Sequence, residues 1–192
     1  MAVSKDAVFV GAPDLVTGAV RVGPLGTALP VTAIAVPNVA LVDAGYVSED
    51  GLTVSSSMSW TEIRDWSGSI VRRSKDQEDN TIKFTFLELN ETSANATFGD
   101  ANVTPVAGAP GHGATLAIAL NTTESSRQAW VFSMISGGQK LRVVVPDGQI
   151  TERGDLTFTK KGAVMLSVTL ATLPDASGNQ VYFYTDNGIL VP

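Results

Sequence analysis

From residue 80 onward this chain alternates between apolar and polar side chains with a period of two, and that period constrains its fold more than any other feature. Ile82, Phe84 and Phe86 point one way, while Thr81, Lys83 and Thr85 point the other. Leu116, Ile118 and Leu120 repeat the pattern, and so do Trp130, Phe132 and Met134. Leu141, Val143 and Val145 oppose Lys140 and Arg142, and Leu156 and Phe158 oppose Thr157 and Thr159. The cleanest run is Val164, Leu166, Val168 and Leu170 against Met165, Ser167, Thr169 and Ala171. Successive side chains of a strand face opposite sides of a sheet, so each run predicts a half-buried strand. Asp50-Gly51, Gly137-Gly138, Asp147-Gly148, Gly154-Asp155 and Asn187-Gly188 read as turns between the runs. Many short strands joined by turns predict a mainly β fold: an antiparallel β-sandwich or partial barrel.

One short helix interrupts the series. Asn90 is placed to cap it, Glu91 puts negative charge in its first turn, and Gly99 ends it. This predicts about two turns over 91–98, too short to stand alone and suited to plugging one open end of the sheet.

Residues 11–40 behave differently. Glycines 11, 18, 23 and 26 interleave with prolines 13, 24, 30 and 37, which excludes a long helix. Central strands are not expected there outside the short run Val31 to Val36. The stretch is nearly free of charge and rich in Val and Leu, unlike a disordered tail. It either wraps its own sheet or packs on a neighbouring subunit. The domain reading is therefore an extended arm over 1–40 and a β-sandwich domain over 41–192 that includes a C-terminal extension.

Composition narrows the chemistry. With no cysteine there is no disulfide, thiolate metal site or cysteine nucleophile. The single histidine, His112, lies in a Gly-Pro loop, and no nucleophile elbow or phosphate loop accompanies it. No cofactor is expected, and the chain does not read as an enzyme. The acidic run Asp76 to Asn80 lacks calcium-loop order and reads as a solvated hairpin tip. A net charge of −6 argues against binding nucleic acid by neutralising phosphates. Charged residues make up only 17% of the chain, against roughly 25% in an ordinary soluble domain. Surface covered by other subunits accounts for the deficit. No apolar run reaches membrane-span length, and MAVSKDAVFV does not resemble a secretory signal, so synthesis in the cytoplasm is expected.

The most unusual segment is 43–66, DAGYVSEDGLTVSSSMSWTEIRDW. It reads as a strand pair around Asp50-Gly51 followed by a long irregular loop. That loop carries Met58, Trp60, Ile63 and Trp66 without strand alternation. Aromatic side chains left in water are costly, so the segment is either a lid over its own core or an oligomer contact.

The order of short motifs here resembles the major tail (tail tube) proteins of bacteriophages with long non-contractile tails, the siphophages, especially those of actinobacterial hosts. The motifs are Ala44-Gly45-Tyr46-Val47-Ser48-Glu49-Asp50-Gly51, Thr61-Glu62-Ile63-Arg64-Asp65-Trp66-Ser67-Gly68 and Thr85-Phe86-Leu87-Glu88-Leu89-Asn90-Glu91-Thr92. Phe98-Gly99-Asp100 and Pro146-Asp147-Gly148 extend the likeness over most of 40–175. The resemblance implies a structural virion protein whose hexameric rings stack into a hollow tube. Its partners would be further copies of itself, a tape measure protein, and tail terminator and tail-tip proteins. The genome would pass through the tube, and no membrane is involved. The long segment would contact neighbouring subunits through Tyr46, Glu49, Asp50, Met58, Trp60, Ile63, Arg64 and Trp66. Polar strand faces carrying Lys83, Thr85, Ser167 and Thr169 are expected to face the lumen. Two rivals remain: a capsid-decorating or tail-end β-protein, and a carbohydrate- or surface-binding β-sandwich module.

Overall fold

The computed structural model describes residues 8–14, 19–156, 158, 160 and 162–189. Eleven strands and one α-helix follow in chain order. They are β1 (Ala12–Pro13), β2 (Val20–Pro24), β3 (Val42–Asp43), β4 (Val47–Arg64), β5 (Ile70–Phe86), α1 (Glu91–Phe98), β6 (Val103–Val106), β7 (Thr115–Ile118), β8 (Gln128–Ser136), β9 (Gln139–Arg153), β10 (Leu166–Thr172) and β11 (Tyr182–Asp186). Nine strands form one antiparallel sheet with the path β3-β2-β8-β9-β10-β5-β4, to which β1 adds on β8 and β11 on β9. Strands β6 and β7 form a separate antiparallel hairpin.

The sheet is strongly curled. Three strand spacings separate β8 from β5, about 14 Å in a flat sheet. Yet Phe84 on β5 meets Phe132 on β8 with ring centroids 5.3 Å apart, and Trp130 at 5.9 Å. Such contacts require the inner face to close on itself. Phe84 also packs edge-on against Phe86 at 5.0 Å, so one ring joins three others at the centre of the core. Ile82, Val143, Val145, Ile150, Leu166, Val168 and Leu170 complete this cluster. Ala94, Ala96 and Phe98 of α1 close one end, with Leu116 and Ile118 of β7 packed beside them. The barrel is thus partial, and the mainly β expectation holds. The helix spans the expected residues. Asn90 Oδ1 accepts from the Ser93 N–H, Ser93 Oγ accepts from the Asn90 N–H, and Gly99 terminates it at φ +88°.

A smaller cluster covers the outer face of β8 and β9, where Val131 and Val144 pack with Leu41, Leu29 and two tyrosines of β11. The segment 24–41 therefore lies on its own sheet. Arg142 pins it: one guanidinium nitrogen donates to Thr32 O at 3.0 Å and to Ala35 O at 2.6 Å, while Nε donates to Ser133 Oγ at 3.2 Å. The side chain is buried, and this burial pulls its pKa below the ordinary arginine value, partly opposed by Asp14.

Several expectations are corrected. Two strands form in the Gly/Pro-rich stretch, the two-residue β1 and then β2, which lies inside the sheet, while Val31 to Val36 forms none. Gly23 allows this because a Cβ there would lie 2.7 Å from Ala40 O, where the covering segment crosses. Asp147-Gly148 is not a turn, since β9 runs straight through it. Arg127 pairs with the Asp147 carboxylate, and a Cβ on Gly148 would sit 2.9 Å from Leu170 and 3.1 Å from Trp130. Its glycine serves close packing. The last clean strand starts at Leu166, two residues late. No strand forms at Leu156 and Phe158, whose polar neighbours Thr157 and Thr159 lie outside the described residues. The terminal parts of the expected arm and extension, 1–7, 15–18 and 190–192, lie outside them too.

Candidate subunit interface

The main correction concerns 43–66. It is no irregular loop: β4 runs for 18 residues and pairs with β5 almost to the end. Nor is Asp50-Gly51 a hairpin turn. Val47 pairs with Phe86 and Leu52 with Phe84, so Ser48 to Gly51 bulge out of the edge strand. The acidic run Asp76 to Asn80 lies along β5, and the true tip is 65–69.

Beyond Thr81 the hairpin has no third strand, because β10 pairs with β5 only over 81–86. From Ser56↔Asn80 to Arg64↔Ile70 the two strands pair only with each other, and the body holds just the root of the arm: Gln180 accepts from Asn80 and donates to Glu78 O, and Thr172 donates to Asn80 O. This arm reaches about 30 Å past the body at ~3.4 Å per residue. Its register is irregular at Ser59/Trp60 and at Ile63/Arg64. Met58 and Trp60 share a face with Leu52 and Val54, continuing the core side of the sheet into solvent. Arg73 bonds Glu62 across the arm at 3.1 Å, Arg64 bonds Glu62 at 2.5 Å, and Lys75 pairs with Glu78. At the tip the Ser67 hydroxyl and the Ser69 N–H both donate to Asp65 Oδ1, holding that carboxyl below its ordinary pKa.

The eight residues expected at an interface are all exposed. Met58, Trp60 and Ile63 are each about half exposed, and Trp66 projects completely at 106%. Arg64, two residues before Trp66 in the chain, donates to Gly68 O across the tip. Tyr46, Glu49 and Asp50 stand apart from these, at the root of β4. There Tyr46, Val47, Glu49 and Leu52 line a groove of about 170 Å³ together with Pro13, Val20 and Met134. The groove follows the seam where the curled sheet brings its β4 edge near β1, β2 and β8 without joining them. Sequence reading did not find it, because its walls come from four distant segments.

The four residues expected at a lumen come together on the opposite, outer face. Thr169 pairs with Lys83 and Ser167 with Thr85, and the Thr85 and Ser167 hydroxyls lie 2.9 Å apart. Thr53 and Glu152 extend the row, which then crosses four strands as Thr53, Lys83, Thr169 and Glu152. Thr169 Oγ1 donates to Glu152 at 3.1 Å and is itself buried. Glu152 has no sequence signal. In simple alternation it would share the inner face with Ile150, but the irregularity opposite Thr169 and Leu170 turns it outward.

His112 sits in an exposed turn closed by two backbone bonds with Ala109. Among the described residues no cluster of acidic or histidine side chains could hold a metal, and no helix is long and apolar enough to cross a membrane.

Comparison with curated proteins gives no match. Solved structures similar to this chain include the following three. The tube-terminating cap of an anti-feeding prophage has 14% identity and a TM-score of 0.45, covering 97% of this chain and all of that one. The PVC sheath/tube terminator of an extracellular contractile injection system, in its extended state, has 14% identity and a TM-score of 0.43, covering 85% and 91%. The sheath-tube complex of that system has 11% identity and a TM-score of 0.45, covering 95% and 97%. A sequence model described as phage tail tube protein matches residues 1–189, and the chain accordingly belongs to that family.

Proposed function

We propose that this chain is the structural subunit of a long non-contractile phage tail, and that its hexameric rings stack into the hollow tube through which the genome is delivered. The observation that carries this reading is the arm. A two-stranded hairpin is marginal in water by itself. One that exposes Met58, Trp60, Ile63 and Trp66 has surface suited to a partner. Edge strands β4 and β3 invite pairing with neighbours, and closing a ring removes such edges. The chain acts by shape, with no catalytic step.

The outer polar row is the wall that suits a lumen. It offers Lys83 alongside Asp50 and Glu152, a surface without a basic stripe. A net-negative subunit would release counterions poorly and let a duplex slide. The tape measure protein would fill this channel first, and terminator and tip proteins would cap the ends of a tube made in the host cytoplasm and carried in the virion.

Electron microscopy of the concentrated purified protein tests the reading. Six-fold rings or hollow tubes uphold it. Trimers or a single ring of other symmetry would instead indicate a decorating or tail-end protein, and glycan-binding monomers a surface-binding module.

A further inference from the structure

We propose that the arm tip of one copy seats its Trp66 in the seam groove of a second copy, with the arginines of the tip against the acidic rim of that groove. This rests on the reading of the chain as a self-assembling subunit, and it names the socket that reading leaves open.

Three observations lead to it. The Trp66 side chain is fully exposed at the end of an arm about 30 Å long, so it cannot reach the groove of its own body. The groove is apolar inside, lined by Pro13, Val20, Tyr46, Val47, Leu52 and Met134, and no described residue fills it. Tip and rim also differ in charge. Residues 62–75 hold Arg64, Arg72, Arg73 and Lys75 against Glu62 and Asp65, four positive and two negative, a balance of +2. The rim carries Glu49 and Asp50 on the exposed bulge, and the Glu88 carboxylate lies beside Gly45, where an added Cβ would meet it at 2.8 Å. An aromatic anchor with arginine neighbours, entering an apolar slot with an acidic rim, has the composition of an interface hot spot. The two surfaces are different, so the contact is head-to-tail and can close a ring or propagate along a stack.

The absence of cysteine from the chain makes the test direct. Ser67→Cys at the tip is combined with Ala19→Cys, which lines the groove. The control combines Ser67→Cys with Ser126→Cys, at the other end of β2. Both concentrated proteins are oxidised with oxidised glutathione, run on a non-reducing gel and imaged by electron microscopy. The expected result is a ladder of disulfide-linked copies for the groove pair, at least about tenfold above the control. Adding Trp66→Ala should bring that yield down to the level of the control, at least about tenfold, as loss of a hot-spot anchor would, while Trp66→Phe keeps most of it. A groove pair no better than the control overturns the socket whether or not tubes appear. Equal cross-linking after Trp66→Ala overturns it as well. Rings or tubes without groove cross-links would leave the tube reading standing and remove only the socket. Cross-linked copies that never form rings would do the reverse.

Discussion

Amide hydrogen exchange compared between dilute monomer and assembled protein should split the arm from the body. In the monomer the arm has nine paired positions from Ser56↔Asn80 to Arg64↔Ile70, interrupted by two irregularities. Its residues from 55 to 77 are all exposed, the best covered of the large hydrophobics being Ile70 at 40% and Ile63 at 49%, so little hydrophobic burial supports it. Its ion pairs, Glu62 with Arg64 and Arg73, and Lys75 with Glu78, are solvent-accessible and worth little. Opening such a hairpin costs about 2 kcal/mol at most, a protection of about thirtyfold. The amides of Val143 and Val144 lie between two strands, and that of Val145 lies beside β8, all within the buried body. They open only with global unfolding, at about 5 kcal/mol or more, a protection of several thousandfold. Mass spectrometry of peptides spanning 56–64 and 70–79 should therefore show exchange at least about a hundredfold faster than peptides of 141–150. Assembly should slow the arm and leave the body nearly unchanged. An arm as protected in the monomer as β9 would refute the reasoning, and so would an arm whose exchange is the same in both states.

Phe84→Ala should cost about 4 kcal/mol or more in urea unfolding followed by circular dichroism. It opens a cavity and removes three aromatic contacts that hold the curl. A cost under about 1.5 kcal/mol, that of trimming a peripheral methyl, would show that the curl does not depend on this ring. Tyr182 donates to Asp175 at 2.6 Å, which raises the phenol's pKa and lowers the carboxyl's. The raised phenol favours the fold below its unfolded pKa, and that contribution fades as pH rises through the folded one. The lowered carboxyl favours the fold above its unfolded pKa and fades as pH falls through the folded one. Ultraviolet titration should accordingly place Tyr182 above an ordinary tyrosine, and Asp175→Asn should bring it back; no movement would break the pairing argument. Lys83→Glu should alter DNA ejection from phage carrying it while leaving tube dimensions intact, and unchanged ejection counts against Lys83 facing the channel.

The body could be read from sequence because it is half-buried. Ile82, Phe84, Leu166 and Val168 alternate with exposed Lys83 and Ser167, and water on the outer side of β5 and β10 writes that period into the chain. The helix could be read because caps are local chemistry, here Asn90 and Gly99. The arm could not. Both of its faces meet solvent, so Thr53 to Arg64 needs no apolar period, and its strand character lies only in backbone pairing. The useful signal was the tip, where Asp65 and Gly68 at φ +88° close a turn in which Asp65 binds Ser67 and Ser69. Gly148 misled for a related reason: a glycine required for close packing looks like one required for a turn. The polar row of Lys83, Thr85, Ser167 and Thr169 followed from alternation alone, whereas Glu152 depended on an irregularity that alternation cannot foresee.

The arm also bears on how free subunits avoid amyloid. A long hairpin with two open edges is a template for cross-β stacking, and the stretch Leu52 to Thr61 is free of charge, as such stacking favours. Residues 56–80 hold nine of the chain's 32 charged residues, Glu62, Arg64, Asp65, Arg72, Arg73, Lys75, Asp76, Glu78 and Asp79. Like charges stacked in register every ~4.8 Å would repel strongly, and the two irregularities spoil the flatness a fibril needs. The same 25 residues thus act as gatekeepers in storage, and neutralising them would trade an orderly polymer for a fibrous one.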